Sequence, residues 1–175
     1  MRTIRFQGQE AGTPTCMSAC VAMLLGLPYS VVVGEFHAKY FSDEVWKGGN
    51  VTAHRYLNEY LEAYGIKNQK QECWDRDNGF IWKDGYYLLS VKSLNDPGSL
   101  HAIVIEIVER DEFTKAVFVY DPQRDNPKAF HYSSVAEEAW MHNNNKEKQL
   151  KLDCRSVEAY ISRDSFNSGA VIQGY

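Results

Sequence analysis

The period of the hydrophobic residues changes once along this chain, near Phe80, and that change limits the folds open to it. Before it, apolar residues recur at spacings of three and four, as in helices with a buried side. After it come strand-like runs such as Tyr86-Tyr87-Leu88-Leu89-Ser90-Val91, bounded by Gly85 and by the turn Asn95-Asp96-Pro97-Gly98. Helices first and an antiparallel sheet second is the order of an α+β chain.

Within the helical part, Thr13 is a candidate cap and Pro14 suits a first helical turn. The apolar positions Cys16, Ala19, Cys20, Met23, Leu24 and Leu27 then predict one buried stripe, ended by Gly26 and Pro28. Residues 29–41 read as a shorter helical segment. Over residues 51–64, Tyr56, Leu57, Tyr60, Leu61 and Tyr64 share a face, and Gly65 supplies the stop. Residues 2–6 alternate polar and apolar, which predicts a short first strand, and residues 7–12 have loop composition. Further strands are expected over residues 86–91, 101–108, 116–120, 157–162 and 170–173. With 175 residues, 44% of them hydrophobic, the whole span 1–175 suits a single domain.

The net charge of −4 makes no electrostatic case for nucleic acid or an anionic membrane as partner. No apolar stretch is long enough to span a bilayer. The first residues are charged and polar with no apolar run behind them, so a cytoplasmic protein with reduced thiols is expected. Of Cys16, Cys20, Cys73 and Cys154, only the first two lie close together, without a second ligand pair at finger-like spacing. No metal or other cofactor is therefore indicated.

Cys16 has the setting of an activated thiol, although on position alone a small core residue is the commoner role of a free cysteine. It falls in the first turn of its helix, where unpaired N–H groups and the positive dipole end favour a thiolate. Cys20, one turn on and flanked by Val21, Ala22 and Met23, reads as buried. His101 opens a strand directly after a loop. The segment Arg110-Asp111-Glu112 suits a hairpin loop between the two Ile/Val-rich strands. Folded about Asp111, that hairpin puts position 121 opposite position 101, about 5 Å away by cross-strand geometry. Asp121 can then fix the tautomer of the imidazole, although, taken alone, an Asp there is better explained by turn chemistry before Pro122. A thiolate, a base and an orienting carboxylate are what nucleophilic thiol catalysis requires. An oxyanion needs donors as well. The N–H of Cys16 is one candidate, and a side-chain amide from Gln9 or Gln7 is another, Gln9 being nearer.

The run from Gln9 to Gly26, Gln-Glu-Ala-Gly-Thr-Pro-Thr-Cys-Met-Ser-Ala-Cys-Val-Ala-Met-Leu-Leu-Gly, resembles the opening of the bacteriocin-leader-processing (double-glycine) peptidases, a papain-like family. The blocks His101-Ala102-Ile103-Val104-Ile105 and Val119-Tyr120-Asp121-Pro122 resemble the His and Asp strands of that family. The resemblance covers the first thirty residues and residues 86–123. It implies a papain-like fold, with N-terminal helices packed on a C-terminal antiparallel sheet, here as a stand-alone domain. It also implies Cys16 as nucleophile, His101 as general base, Asp121 as its orienter and Gln9 as oxyanion donor. The expected substrate is a peptide or protein, cut at a peptide or isopeptide bond that follows small residues such as Gly. Met17 stands where members of the family usually have Gly, and the spacing from Gln9 to Cys16 is one residue longer than theirs. The same triad also serves acyl transfer, as in transglutaminases, and an inactive papain-like domain can act as a binding module. The acidic residues Asp75, Asp77 and Asp84 read as a solvated loop.

Overall fold

A computed structural model of the chain describes residues 2–111, 115–133 and 154–169, together with the backbone of residues 142–143. Its first helix, α1 (Cys16–Leu25), is buried at every residue from Met17 to Leu25. The single stripe expected there is too narrow. Met17, Val21, Ala22 and Leu25 fill the sides between the predicted positions, so the helix has no polar face to keep in water and other elements close around it. Nor is Thr13 its cap. The helix starts after Thr15, whose hydroxyl meets that of Tyr29, while the Thr13 hydroxyl donates to the Glu10 carbonyl (2.7 Å). At the other end Gly26 adopts a φ of 70°, which lets its own N–H and that of Leu27 both return to the Ala22 carbonyl.

Residues 29–40 form the short helical segment expected, with a π-helical turn, Val33–His37, between Tyr29–Val32 and Ala38–Tyr40. A one-turn helix, Asp43–Trp46, is capped by Ser42. The longer helix α2 (Gly49–Ala63) buries Ala53, Leu57 and Leu61 fully. Its tyrosines are only half-buried, with Tyr56 and Tyr60 packed around the Phe36 ring at 5.6 and 5.0 Å.

The sheet contains β1 (Gly85–Lys92), β2 (Leu100–Glu109), β3 (Lys115–Tyr120) and β4 (Cys154–Ile161), in the order β3-β2-β1-β4 and antiparallel throughout. Leu88, Val104 and Ala159 join α1 and α2 in one core. On the opposite face Tyr87, Leu89, Ile103 and Ile105 pack with Cys73 and Tyr132 in a second. Cover on both faces explains why β1 is buried from Gly85 to Val91 instead of alternating. The pairing of β1 with β4 is irregular: Leu88 faces Ala159 and Leu89 faces Val157, so Glu158 is an extra, bulged residue.

These helices and this sheet make the fold α+β. Among the described residues no helix is long and apolar enough to cross a membrane. The strand expected over residues 2–6 does not form. Ile4 and Phe6 do pack on the core, but Arg2 holds the segment along the helices, donating to the carbonyls of Leu24 (2.7 Å) and Phe166 (3.0 Å) and lying over the Phe166 ring. The strand expected over residues 170–173 lies outside the described residues.

Candidate active site

Three segments meet at one end of the sheet: the start of α1, the start of β2 and the residue that follows β3. Cys16 is the first residue of α1, where the earliest N–H groups of the helix have no intrahelical acceptor. The N–H groups of Met17 and Ala102 and the His101 ring are the neighbours that favour its thiolate. Burial, the largest single influence, pushes the Cys16 thiol up. The hydrogen bond and charge of His101, helped by the two amides, outweigh it and hold the thiol below its ordinary value.

His101 is 5% exposed, and its Nε2 lies 2.7 Å from Asp121 Oδ1. That leaves Nδ1 as the ring nitrogen for Cys16. Burial again works against the charged form, but hydrogen bonds to Asp121 and Cys16 prevail and push the imidazole up to about 9. Asp121 is itself buried, and both of its oxygens are held: Oδ1 accepts the Gln123 N–H and Oδ2 accepts the Tyr132 N–H, each at 2.8 Å. The turn chemistry before Pro122 and the contact with the imidazole are therefore both present, on one carboxylate.

The hairpin register differs from the expected one. Glu109 pairs with Lys115 and Val104 with Tyr120, so the hairpin is centred one residue beyond Asp111. In that register Asp121 is not directly opposite His101 but diagonal to it. A shift of the centre by one residue moves each partner by two, which preserves the face on which every side chain lies. The two side chains therefore still meet.

Gln9 ties two of the converging segments together. Its backbone N–H donates to the Pro122 carbonyl (3.1 Å) beside Asp121, and its Nε2 donates to the Thr13 carbonyl (2.8 Å) just ahead of α1. Its Oε1 is buried with no hydrogen-bond partner among the described residues. Cys20 is fully buried, and burial raises its thiol well above the ordinary value. Burial also raises Cys73.

Beside Cys16 a cavity of about 290 Å³ opens between the helical half and the sheet. Tyr40, Phe41 and Trp46 form one wall and Leu100, His101 and Ala102 another, while His54, Ser90, Ser156 and Glu158 lie at its polar end. Burial comes first among the influences that push the Tyr40 phenol up to about 12, followed by the charges of Glu158 and Cys16. One cavity thus joins the thiol to a buried carboxylate. None of these wall residues except His101 stands out in the sequence, because they come from six separate segments. The Asp121-Pro122-Gln123 turn is the local turn chemistry expected before Pro122, with Asp121 accepting the N–H two residues on. Asp75 and Asp77 are exposed, as expected of a solvated loop, but Asp84 is half-buried and tied to distant parts of the chain. Asp75 accepts the N–H groups of Asp77 and Asn78, and Asp84 pairs with Arg163.

No protein-family model, curated protein or solved structure matches this chain.

Proposed function

We propose that this protein is a papain-like cysteine peptidase that cleaves a peptide or isopeptide bond through an acyl-enzyme on Cys16. The observation that carries the reading is a buried His101 bonded to Asp121 on the wall of the cavity that Cys16 also lines, with the thiol lowered and the imidazole raised by one another. Opposite shifts of this kind favour a thiolate–imidazolium pair, the reactive form of a catalytic thiol.

In the reaction, Cys16 Sγ attacks the carbonyl carbon, and the carbonyl electron pair moves onto oxygen. Helix-start N–H groups and the Gln9 amide are the candidate donors to that oxyanion. As the intermediate collapses, the carbon–nitrogen bond breaks and the His101 imidazolium gives its proton to the leaving amine. Water, deprotonated by the now neutral His101, then attacks the thioester and releases the acid and the Cys16 thiolate. Asp121 is a positioning residue. It holds the Nε2–H tautomer and supports the charge on the ring without touching the substrate.

Activated peptide esters test this reading. Rapid mixing with a panel of them should give an intact-mass adduct on Cys16 that hydrolyses with time and is absent from Cys16→Ala. A panel that leaves the mass of the protein unchanged, or acylates Cys16→Ala equally well, contradicts it.

A further inference from the structure

Glu158 is buried to 7% exposure in the wall of a cavity shared with Cys16, although no step of the proposed reaction uses it. Its position is built into the fold. The bulge in β4 inserts it as an extra residue, and its backbone carbonyl accepts from Asn68 Nδ2 (3.2 Å), a side chain outside the sheet. Bulges beside functional clefts re-aim side chains in this way. The carboxylate receives the Ser90 hydroxyl (2.7 Å) and the Ser156 hydroxyl on Oε1, and meets His54 Nε2 on Oε2. Burial alone would push Glu158 up, but Ser156, Ser90 and His54 hold it below the usual carboxylate range, so it is an anion at neutral pH. A carboxylate has about four acceptor positions, and these three donors leave one open on Oε2.

Among the described residues no lysine or arginine lines this cavity. Arg55 and Lys70 line a neighbouring depression, to which His54 and Glu158 also contribute. An apolar or acidic group that filled the cavity would take water from the carboxylate and return nothing, whereas a cation would pair with it. The approach to Glu158 suits a long cationic side chain. Phe41, Trp46 and Leu100 are exposed at its walls, where they can cover a methylene stem and, through the two rings, favour a positive head.

We infer that this cavity is the specificity pocket of the site and takes a lysine or arginine side chain of the substrate, from a residue preceding the cleaved bond, with Glu158 as its counter-charge. The inference rests on Cys16 being the nucleophile, so its test separates the two. Iodoacetamide, which needs no pocket, first measures whether Cys16 reacts. Otherwise identical peptidyl acyloxymethyl ketones then place Lys, norleucine or Glu at each of the three positions before the reactive group.

At one position Lys should label Cys16 about 10- to 100-fold faster than norleucine, the range expected for one hydrogen bond to a charged group, with Glu slowest. The ratio should shrink as salt is raised and fall towards one in Glu158→Gln. If Glu158→Gln fails to fold, the wild-type ratio and its salt dependence still decide. A thiol that reacts with iodoacetamide while norleucine equals or exceeds Lys at every position overturns the pocket and leaves the nucleophile standing. The same holds if none of the ketones reacts. A Cys16 inert to both reagents overturns both.

Discussion

At the residue scale, the His101 ring carries the clearest consequence. Its charged form is opposed by burial and sustained by Asp121 and Cys16, with the balance at about 9. Because this value is raised above the ordinary 6.5 for the group, the imidazolium persists through neutral pH and is lost as pH rises through about 9. Titration of the ring by NMR should show that midpoint. In Asp121→Asn the leading support is gone while burial remains, so the midpoint should fall, and the alkaline limb of any turnover profile should fall with it. An unchanged midpoint would mean that Asp121 does not act on the ring. For turnover itself, Cys16→Ala and His101→Ala should each abolish activity, since one removes the covalent intermediate and the other the proton carrier. Asp121→Asn should leave a weak remainder, because only orientation and charge support are lost. Gln9→Ala should cost about 10²-fold in kcat with little change in KM if its amide serves the oxyanion. Full activity in Gln9→Ala would remove Gln9 from the site and turn attention to Gln7 or a backbone donor.

Among the elements, the two ends of the sheet should respond differently to mutation. Gly85 opens β1 with a φ of 138°, and a Cβ there would lie 2.7 Å from the Ile161 carbonyl oxygen. Gly85→Ala should therefore cost about 1–3 kcal/mol of stability in urea unfolding, a typical figure for one strained backbone position. Being at the end of β1 away from His101, it should leave the reactivity of Cys16 in the folded protein intact. Asp121→Ala strips an acceptor from the part-buried Gln123 N–H and from the buried Tyr132 N–H and His101 ring, at about 1–3 kcal/mol for a buried donor left unpaired, and should reduce stability and reactivity together. Strands β1, β2 and β3 were legible in the sequence because their apolar runs and the Asn95–Gly98 turn are local signals, whereas β4, with no such run, starts three residues before its expected bounds. The register was not, because turn conformation sets the centre of a hairpin and the identities of Arg110 and Asp111 do not specify it. The surroundings of α1 were also hidden. A search for one apolar stripe assumes a polar side, and Met17, Val21, Ala22 and Leu25 leave none.

For the molecule as a whole, the helices and the sheet share a core and leave a cavity between them with Cys16 on its wall. The Cys16, His101 and Asp121 part of the site could be read from sequence because each residue sits at the end of a regular element, where chain order and period predict its place. The cavity could not. Tyr40, Trp46, His54 and Ser156 are brought together only by tertiary packing, and Glu158 sits at a bulge that a period of two cannot reveal. The central claim is that this packing makes Cys16 a nucleophile through His101. The most direct measurement is the rate of iodoacetamide modification of each cysteine in the folded protein near pH 7, by intact mass and peptide mapping, in wild type and in His101→Ala. Cys16 should react first and fast, ahead of the half-buried Cys154 and the buried Cys20 and Cys73, and should slow by about 10-fold or more when the ring is removed, as expected when a thiolate loses its main charge partner. A Cys16 that reacts no faster than an unstructured thiol peptide, or at the same rate without His101, would contradict the account.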